Sequence, residues 1–179
     1  MGWEEVGAKT EGEKSGVRFT KIATGKTVLR ILDEAPISQW KHWVPALSRS
    51  ISCLGNGCPI CNDMKEKKQN NGKSLFTSIR THTINVWNYA TEQVEILEKG
   101  NSIFEQIKTL NFEVGDVREY DITIVRKGEG RLDTTYMVMP GTKSKLPEEI
   151  LAKEKYDLAK FRELMTVEQV QEIVRAAYA

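Results

Sequence analysis

One histidine and three cysteines stand out by type and spacing: His42, Cys53, Cys58 and Cys61 read His-x10-Cys-x4-Cys-x2-Cys. Zinc takes four ligands in a tetrahedron, and three thiolates with one imidazole form a closed structural set. Thiolates also favour zinc over magnesium or calcium. Cys58-Pro59-Ile60-Cys61 places two thiolates on one turn, which Pro59 stiffens. The Gly55-Asn56-Gly57 bend carries Cys53 across to them, and His42, on a preceding strand, closes the set. His82 lies in a β-prone stretch remote from the cysteines and reads as a strand histidine with ordinary hydrogen bonds. Four protein ligands leave no open position for water, so the predicted zinc is structural rather than catalytic.

The patterns of enzymes are missing. A zinc deaminase needs H-x-E before P-C-x-x-C, and Val44 stands two residues after His42. A redox C-x-x-C belongs in a βαβ setting, which the surrounding pattern does not offer. The sequence has no G-x-S-x-G, no Walker A loop and no G-x-G-x-x-G. Asp116, Glu119, Asp121 and Asp133 read as turn and strand-surface acids rather than a two-metal nuclease cluster.

The zinc motif lies in the most basic part of the chain. The 179 residues carry 26 Lys or Arg against 25 Asp or Glu, a net charge of +1. Residues 14–80 alone hold twelve cations against four acids, a surplus of eight, and the flanking segments are net acidic. Such a segment sets up a local positive field whatever the total charge. Lys65, Lys67 and Lys68 read as one solvated helix face, while other cations are interleaved with aromatic residues. Single-strand binding uses that combination: cations track phosphates and flat side chains stack on bases. The candidate contacts are Lys26, Arg30, Trp40, Lys41, Trp43, Arg49, Lys73, Phe76, Arg80, Trp87, Tyr89, Arg126 and Tyr136. Phe76 and Trp87 have opposite parity on one strand, as do Trp40 and Trp43, so only about half of the aromatics can face a groove.

The elements that must position these groups follow from periodicity. Residues 1–16 read as a mobile arm in which Trp3 alone could dock. Phe19–Ala23 and Thr27–Asp33 predict a hairpin, with Gln39–Val44 a third strand. Pro59–Gln69 predicts a short helix opened by proline, and Leu75–Tyr89 a long strand pairing with Gln93–Leu97. Ser102 and Glu105 predict a capping box opening a helix with Ile103, Phe104, Ile107 and Leu110 on one face. Tyr120–Arg126 and Thr134–Met139 predict a second hairpin. Thr166 and Gln169 form another capping box, followed by an apolar stripe of Val167, Val170, Ile173, Val174 and Ala177 that is expected to pack on the core. The fold class is mainly β with accessory helices (α+β), and a small barrel of OB type fits the strand count and the helix between later strands. The expected division is an arm (1–16), a core (17–145) with a zinc insertion at about 40–72, and C-terminal helices (146–179).

Length and composition suit one domain of this kind, with no membrane-length apolar run and a polar, acidic start unlike a secretion signal. An odd cysteine count argues against a closed disulfide framework and for a reduced compartment.

From Phe19 to Met139 the chain resembles the zinc-containing single-stranded DNA-binding proteins of tailed bacteriophages. The resemblance rests on Thr27–Leu32, Trp40–His42, Cys53 with Cys58–Cys61, Ile84–Trp87, Tyr120–Ile124 and Thr135–Val138. It implies an OB fold with a zinc-bearing insertion and the metal role for His42, Cys53, Cys58 and Cys61. It also implies sequence-non-specific binding of single-stranded DNA in replication, recombination and repair, in the cytoplasm of an infected bacterial host. Phage replication proteins and self-association on DNA are the partners it suggests. Two features depart from the family: residues 1–13 are net acidic where members carry a basic arm, and the end is an amphipathic helix rather than an acidic run. The rival expectation is a zinc-ribbon module, such as a phage transcription adaptor that docks on a polymerase through that helix.

Overall fold

The computed structural model describes residues 16–162 and 164–179. The expected arm and Trp3 lie outside the described residues, except for Gly16. The class is α+β. Seven strands make one antiparallel sheet: β1 (Gly25–Ile31), β2 (Ile37–Val44), β3 (Arg49–Ser52), β4 (Thr77–Asn88), β5 (Gln93–Lys99), β6 (Tyr120–Lys127) and β7 (Thr135–Lys143). The helices are α1 (Pro59–Gln69), α2 (Asn101–Glu113), α3 (Glu148–Leu151) and α4 (Val167–Ala177). None of them is long and apolar enough to cross a membrane.

The long strand β4 organises the sheet. It pairs with β2 over Thr77–Thr83 and with β1 over Val86–Asn88, while β5 pairs with it over His82–Asn88. β1 continues the sheet to β6, and β6 to β7. β1 and β2 are successive lengths of one path along β4, broken at residues 32–36. There Asp33 accepts the main-chain and side-chain N–H groups of Asn85 at 2.8 and 2.9 Å.

Alternation explains the first core. Tyr120, Ile122 and Ile124 share parity on β6 and all three are fully buried. They meet Leu29, Ile31, Ile84, Val86 and Leu97, and α2 covers the cluster with Ile103, Phe104 and Ile107. Burial of such side chains stabilises by about 1.5–3 kcal/mol each. The sheet is not closed into a barrel, because β5 and β7 do not pair. α2 packs against both. Its Gln106 accepts the Val138 N–H at 2.9 Å and donates to the Tyr136 carbonyl at 3.0 Å, satisfying part of the β7 edge as a strand would.

A second cluster gathers Val44, Ile51, Phe76 and Ile60 with Cys53, Cys58 and Val170. The C-terminal stripe packs here, on α1 and the cysteine loop, rather than on the first core: Ile173, Val174 and Ala177 join Val170. The Tyr178 hydroxyl donates to Asp63 Oδ2 at 2.9 Å and accepts the Leu75 N–H at 3.2 Å, pinning the end of α4. The capping box at Thr166 forms with both reciprocal bonds.

Three local expectations are corrected. Phe19–Ala23 does not hairpin with β1: β6 holds one edge of β1 along Gly25–Arg30 and β4 the other at Leu29–Ile31. Arg18 and Thr20 instead bond in parallel to Ile96 of β5, and Ile22 enters the first core. Ser102 does not cap α2: the helix starts at Asn101 from the extended backbone of Gly100, so Ser102 already lies inside its first turn. Strand β3, inside the region expected only as an insertion, extends β2 outward.

Candidate metal centre and its neighbouring surfaces

Each of the four residues is delivered by a different local device. On β2, His42 stands opposite Ile51 of β3 and Ser78 of β4. Cys53 follows β3 directly, and its N–H is held by the Trp40 carbonyl at 2.9 Å. Gly55 and Gly57 both take positive φ, +80° and +77°, which other residues rarely adopt, so the chain can reverse between Cys53 and Cys58. Cys58 caps α1, Pro59 occupies the first helical position, and Cys61 sits one turn on.

The four ligand atoms lie within 4.8 Å of one another. Cys53 Sγ is 3.6 Å from Cys61 Sγ, and His42 Nε2 is 3.6 Å from Cys58 Sγ and 3.4 Å from Cys61 Sγ. Ligands at zinc bond lengths on a tetrahedron are separated by about 3.8 Å for sulfur–sulfur and about 3.6 Å for sulfur–nitrogen edges. The three named separations lie close to these edges and the whole set spreads over at most 4.8 Å, so the cluster is compatible with a zinc-sized dication after a small contraction. His42, Cys53 and Cys58 are buried.

The electrostatics point the same way. Burial pushes the Cys58 thiol up, but the main-chain N–H groups of Cys61, Leu54 and Ile60 outweigh it and hold Cys58 below the usual thiol value. Burial, and then the sulfurs of Cys53 and Cys58, push Cys61 up to about 12. Three sulfurs crowded out of water repel a second negative charge, and a dication among them reverses that penalty. Burial lowers the His42 pKa against an opposing main-chain bond to Thr77, which favours the neutral imidazole a metal needs. The other ring nitrogen, Nδ1, is 3.0 Å from Ser78 Oγ, an outer contact that orients the ring. The Gly55 N–H donates to Cys53 Sγ at 3.4 Å, and Arg162 donates to the Cys53 carbonyl at 3.3 Å. The other histidine, His82, lies between Ser38 Oγ and Asn101 Oδ1 at 2.7 and 2.6 Å, apart from the cysteines.

The residues proposed from sequence to contact a strand fall into three groups. Arg30, Phe76 and Trp87 are buried and leave the contact set. The Arg30 guanidinium is 1 % exposed, pairs with Asp121 at 2.7 Å and donates to the carbonyls of Arg118 and Ser144. Phe76 fills the second cluster, and Trp87 lies under Lys153, whose Nζ is 5.8 Å from the ring centre. Lys41, Arg126, Tyr136 and Tyr89 are partly engaged. Lys41 pairs with Glu98 at 2.8 Å, Arg126 donates to the Ile22 carbonyl at 2.9 Å, and Tyr136 packs against the first core. The Tyr89 hydroxyl donates to Asp121 at 2.7 Å. Burial and then Asp121 push its pKa up to about 12, although the ring stays partly exposed.

The third group is on the surface: Lys26, Trp40, Trp43, Arg49, Lys73 and Arg80. Trp40 is half exposed with the Arg80 guanidinium 5.4 Å from its ring centre. Sequence reasoning missed Phe19, which is 48 % exposed and shares an open cleft of about 630 Å³ with Tyr89, Lys21 and Lys26. Read as a hairpin strand, Phe19 had no reason to be on the surface, and only its parity opposite buried Thr20 and Ile22 carried a signal. No protein-family model, no curated protein and no solved structure matches the chain.

Proposed function

We propose that the chain is a non-enzymatic, sequence-non-specific single-stranded DNA-binding protein whose zinc holds one wall of the binding face. The observation that carries this reading is the pairing of exposed Trp40 with the Arg80 guanidinium on the strand pair that also bears His42. A π-face and a cation together on a rigid sheet suit a base and its phosphate, at about 1–3 kcal/mol per stacked base. The Phe19–Tyr89 cleft with Lys21 and Lys26 offers a second place of the same chemistry.

Fold order supports an OB-type reading. β1 pairs with both β4 and β6, β5 follows β4, α2 lies between β5 and β6, and β7 returns beside β6. We read this order as a five-stranded, partly open Greek-key arrangement of OB type, with β2, β3 and α1 inserted as the proposed metal module. Work on phage DNA in replication, recombination and repair, in the cytoplasm of an infected host, remains part of the proposal through the sequence resemblance. The polymerase-docking alternative is weakened because the α4 stripe it would use is spent on the second cluster.

The test is titration of the full, metal-loaded chain with oligo-dT, followed by tryptophan fluorescence at two salt concentrations. Binding that quenches tryptophan, weakens with salt and falls about tenfold in Trp40→Ala is the expected result. Absence of quenching and of any salt-dependent binding overturns the proposal.

A further inference from the structure

Two half-buried cations, Lys99 and Arg126, meet at the open seam of the sheet. Lys99 shares parity with Leu97 at the end of β5, and Arg126 shares parity with Ile122 and Ile124 near the end of β6. Leu97, Ile122 and Ile124 belong to the first core, so both cations continue its face toward the seam where β5 and β7 do not pair.

Three contacts build the place. The segment carrying Ile22 runs beside β5, with the Thr20 N–H donating to the Ile96 carbonyl at 2.8 Å. Arg126 Nη1 donates to the Ile22 carbonyl at 2.9 Å, which fixes the guanidinium across the seam. Arg126 stands opposite Tyr136 of β7, and Gln106 donates to the carbonyls of both Tyr136 and Ser102, at 3.0 and 2.7 Å. The first turn of α2, which begins two residues after Lys99, therefore lies beside the strand pair that carries Arg126.

The charge at this place is not neutralised. Neither Lys99 nor Arg126 forms an ion pair among the described residues. Arg126 Nε is buried with no acceptor among them. The nearest acid in sequence, Glu98, is engaged by Lys41 at 2.8 Å. Burial, and then Arg126, lower the Lys99 pKa and outweigh the opposing effect of Glu98. Two like charges with spare donors are thus held close together and partly out of water, a cost that a bound anion offsets. The charge sets the class of anion. A phosphodiester or a carboxylate brings one negative charge and leaves one cation unmatched. A phosphate monoester brings about −1.5 to −2 at neutral pH, with three acceptor oxygens.

We propose that Lys99 and Arg126 form a binding site for a phosphate monoester, carried at the end of a nucleic-acid strand or on a free nucleotide. The site stands on its own residues and does not depend on the single-strand reading above.

The experiment titrates the full, metal-loaded chain with inorganic phosphate, and with dimethyl phosphate as the singly charged diester, at constant ionic strength. Amide and side-chain resonances of Lys99 and Arg126 are the readout. Saturable shifts with phosphate, at least about tenfold weaker with dimethyl phosphate, are expected. Lys99→Gln, which breaks no bond of the fold, should weaken phosphate binding about tenfold at unchanged melting temperature and metal content. Arg126→Gln should do the same, with melting read alongside because the bond to Ile22 is lost. Unmoved resonances, equal response to the diester, or phosphate binding that survives Lys99→Gln overturn the proposal. Oligo-dT with and without a terminal phosphate, compared on wild type and Lys99→Gln, separates the two sources. A preference for the phosphorylated end that Lys99→Gln abolishes assigns the strand end. Phosphate binding without that preference assigns the free nucleotide.

Discussion

Arg30 separates a structural cation from a phosphate contact, and replacing it with methionine distinguishes the two. Methionine keeps much of the buried stem and removes the guanidinium. Four bonds disappear: to Asp121 Oδ1 at 2.7 Å, to the carbonyls of Arg118 and Ser144 at 3.2 and 2.9 Å, and to Ser144 Oγ at 2.7 Å. Breaking a buried pair destabilises by about 3–5 kcal/mol. Asp121 is one-third exposed and recovers some solvation, while the stranded carbonyls add about 1–3 kcal/mol where water cannot reach them. The net expectation for Arg30→Met is a loss of about 3–5 kcal/mol. At about 2–4 °C per kcal/mol for a chain of this size, melting should fall by about 6–20 °C. Calorimetry reads the stability, and oligo-dT titration well below the new melting point reads function, where affinity should stay within about twofold of wild type. An unchanged melting temperature with a tenfold weaker affinity would refute the reasoning and return Arg30 to the binding face.

Other perturbations bear on separate parts of the molecule. Gln106→Leu removes both bonds to β7 and should cost about 1–3 kcal/mol, with amide exchange at Val138 accelerating before other core amides. Tyr89 should titrate as a phenolate near pH 12 in an ultraviolet absorbance titration, and Asp121→Asn should lower that value. Because its folded pKa is raised, its contribution is fully present below its unfolded value of about 10 and is lost as pH rises through about 12. Strong chelator should melt the second cluster and free α4 while the first core persists, since structural-zinc binding energy is folding energy. The observable is two separated transitions with early proteolytic cleavage before Thr166; one unshifted transition speaks against it.

The candidate metal set was legible because its information is local: cysteines in a turn, glycines that let it reverse, and a histidine on the adjoining strand. The strands of the first core were legible because alternation there matches one buried face. What was not legible depended on distant chain. Trp87 is buried with Lys153 Nζ 5.8 Å from its ring centre, and Arg30 is buried against Asp121 and Ser144, contacts that no periodicity encodes. The Phe19 segment shows the competition directly. Its sequence suits a hairpin, but β6 holds one edge of β1 and β4 the far half of the other, and the segment lies along β5 with its aromatic ring exposed. The α4 stripe was recognised as a packing face, but whether it met the first core or the metal module depended on how the cysteine loop folds.

Native mass spectrometry of the purified chain, paired with alkylation of its thiols, tests the metal centre most directly. One zinc-mass ion per chain is expected, with Cys53, Cys58 and Cys61 protected until chelator is added and the ion lost from a Cys61→Ser variant. A metal-free chain whose three thiols all react at once, and whose melting ignores both zinc and chelator, would contradict a metal centre at His42, Cys53, Cys58 and Cys61.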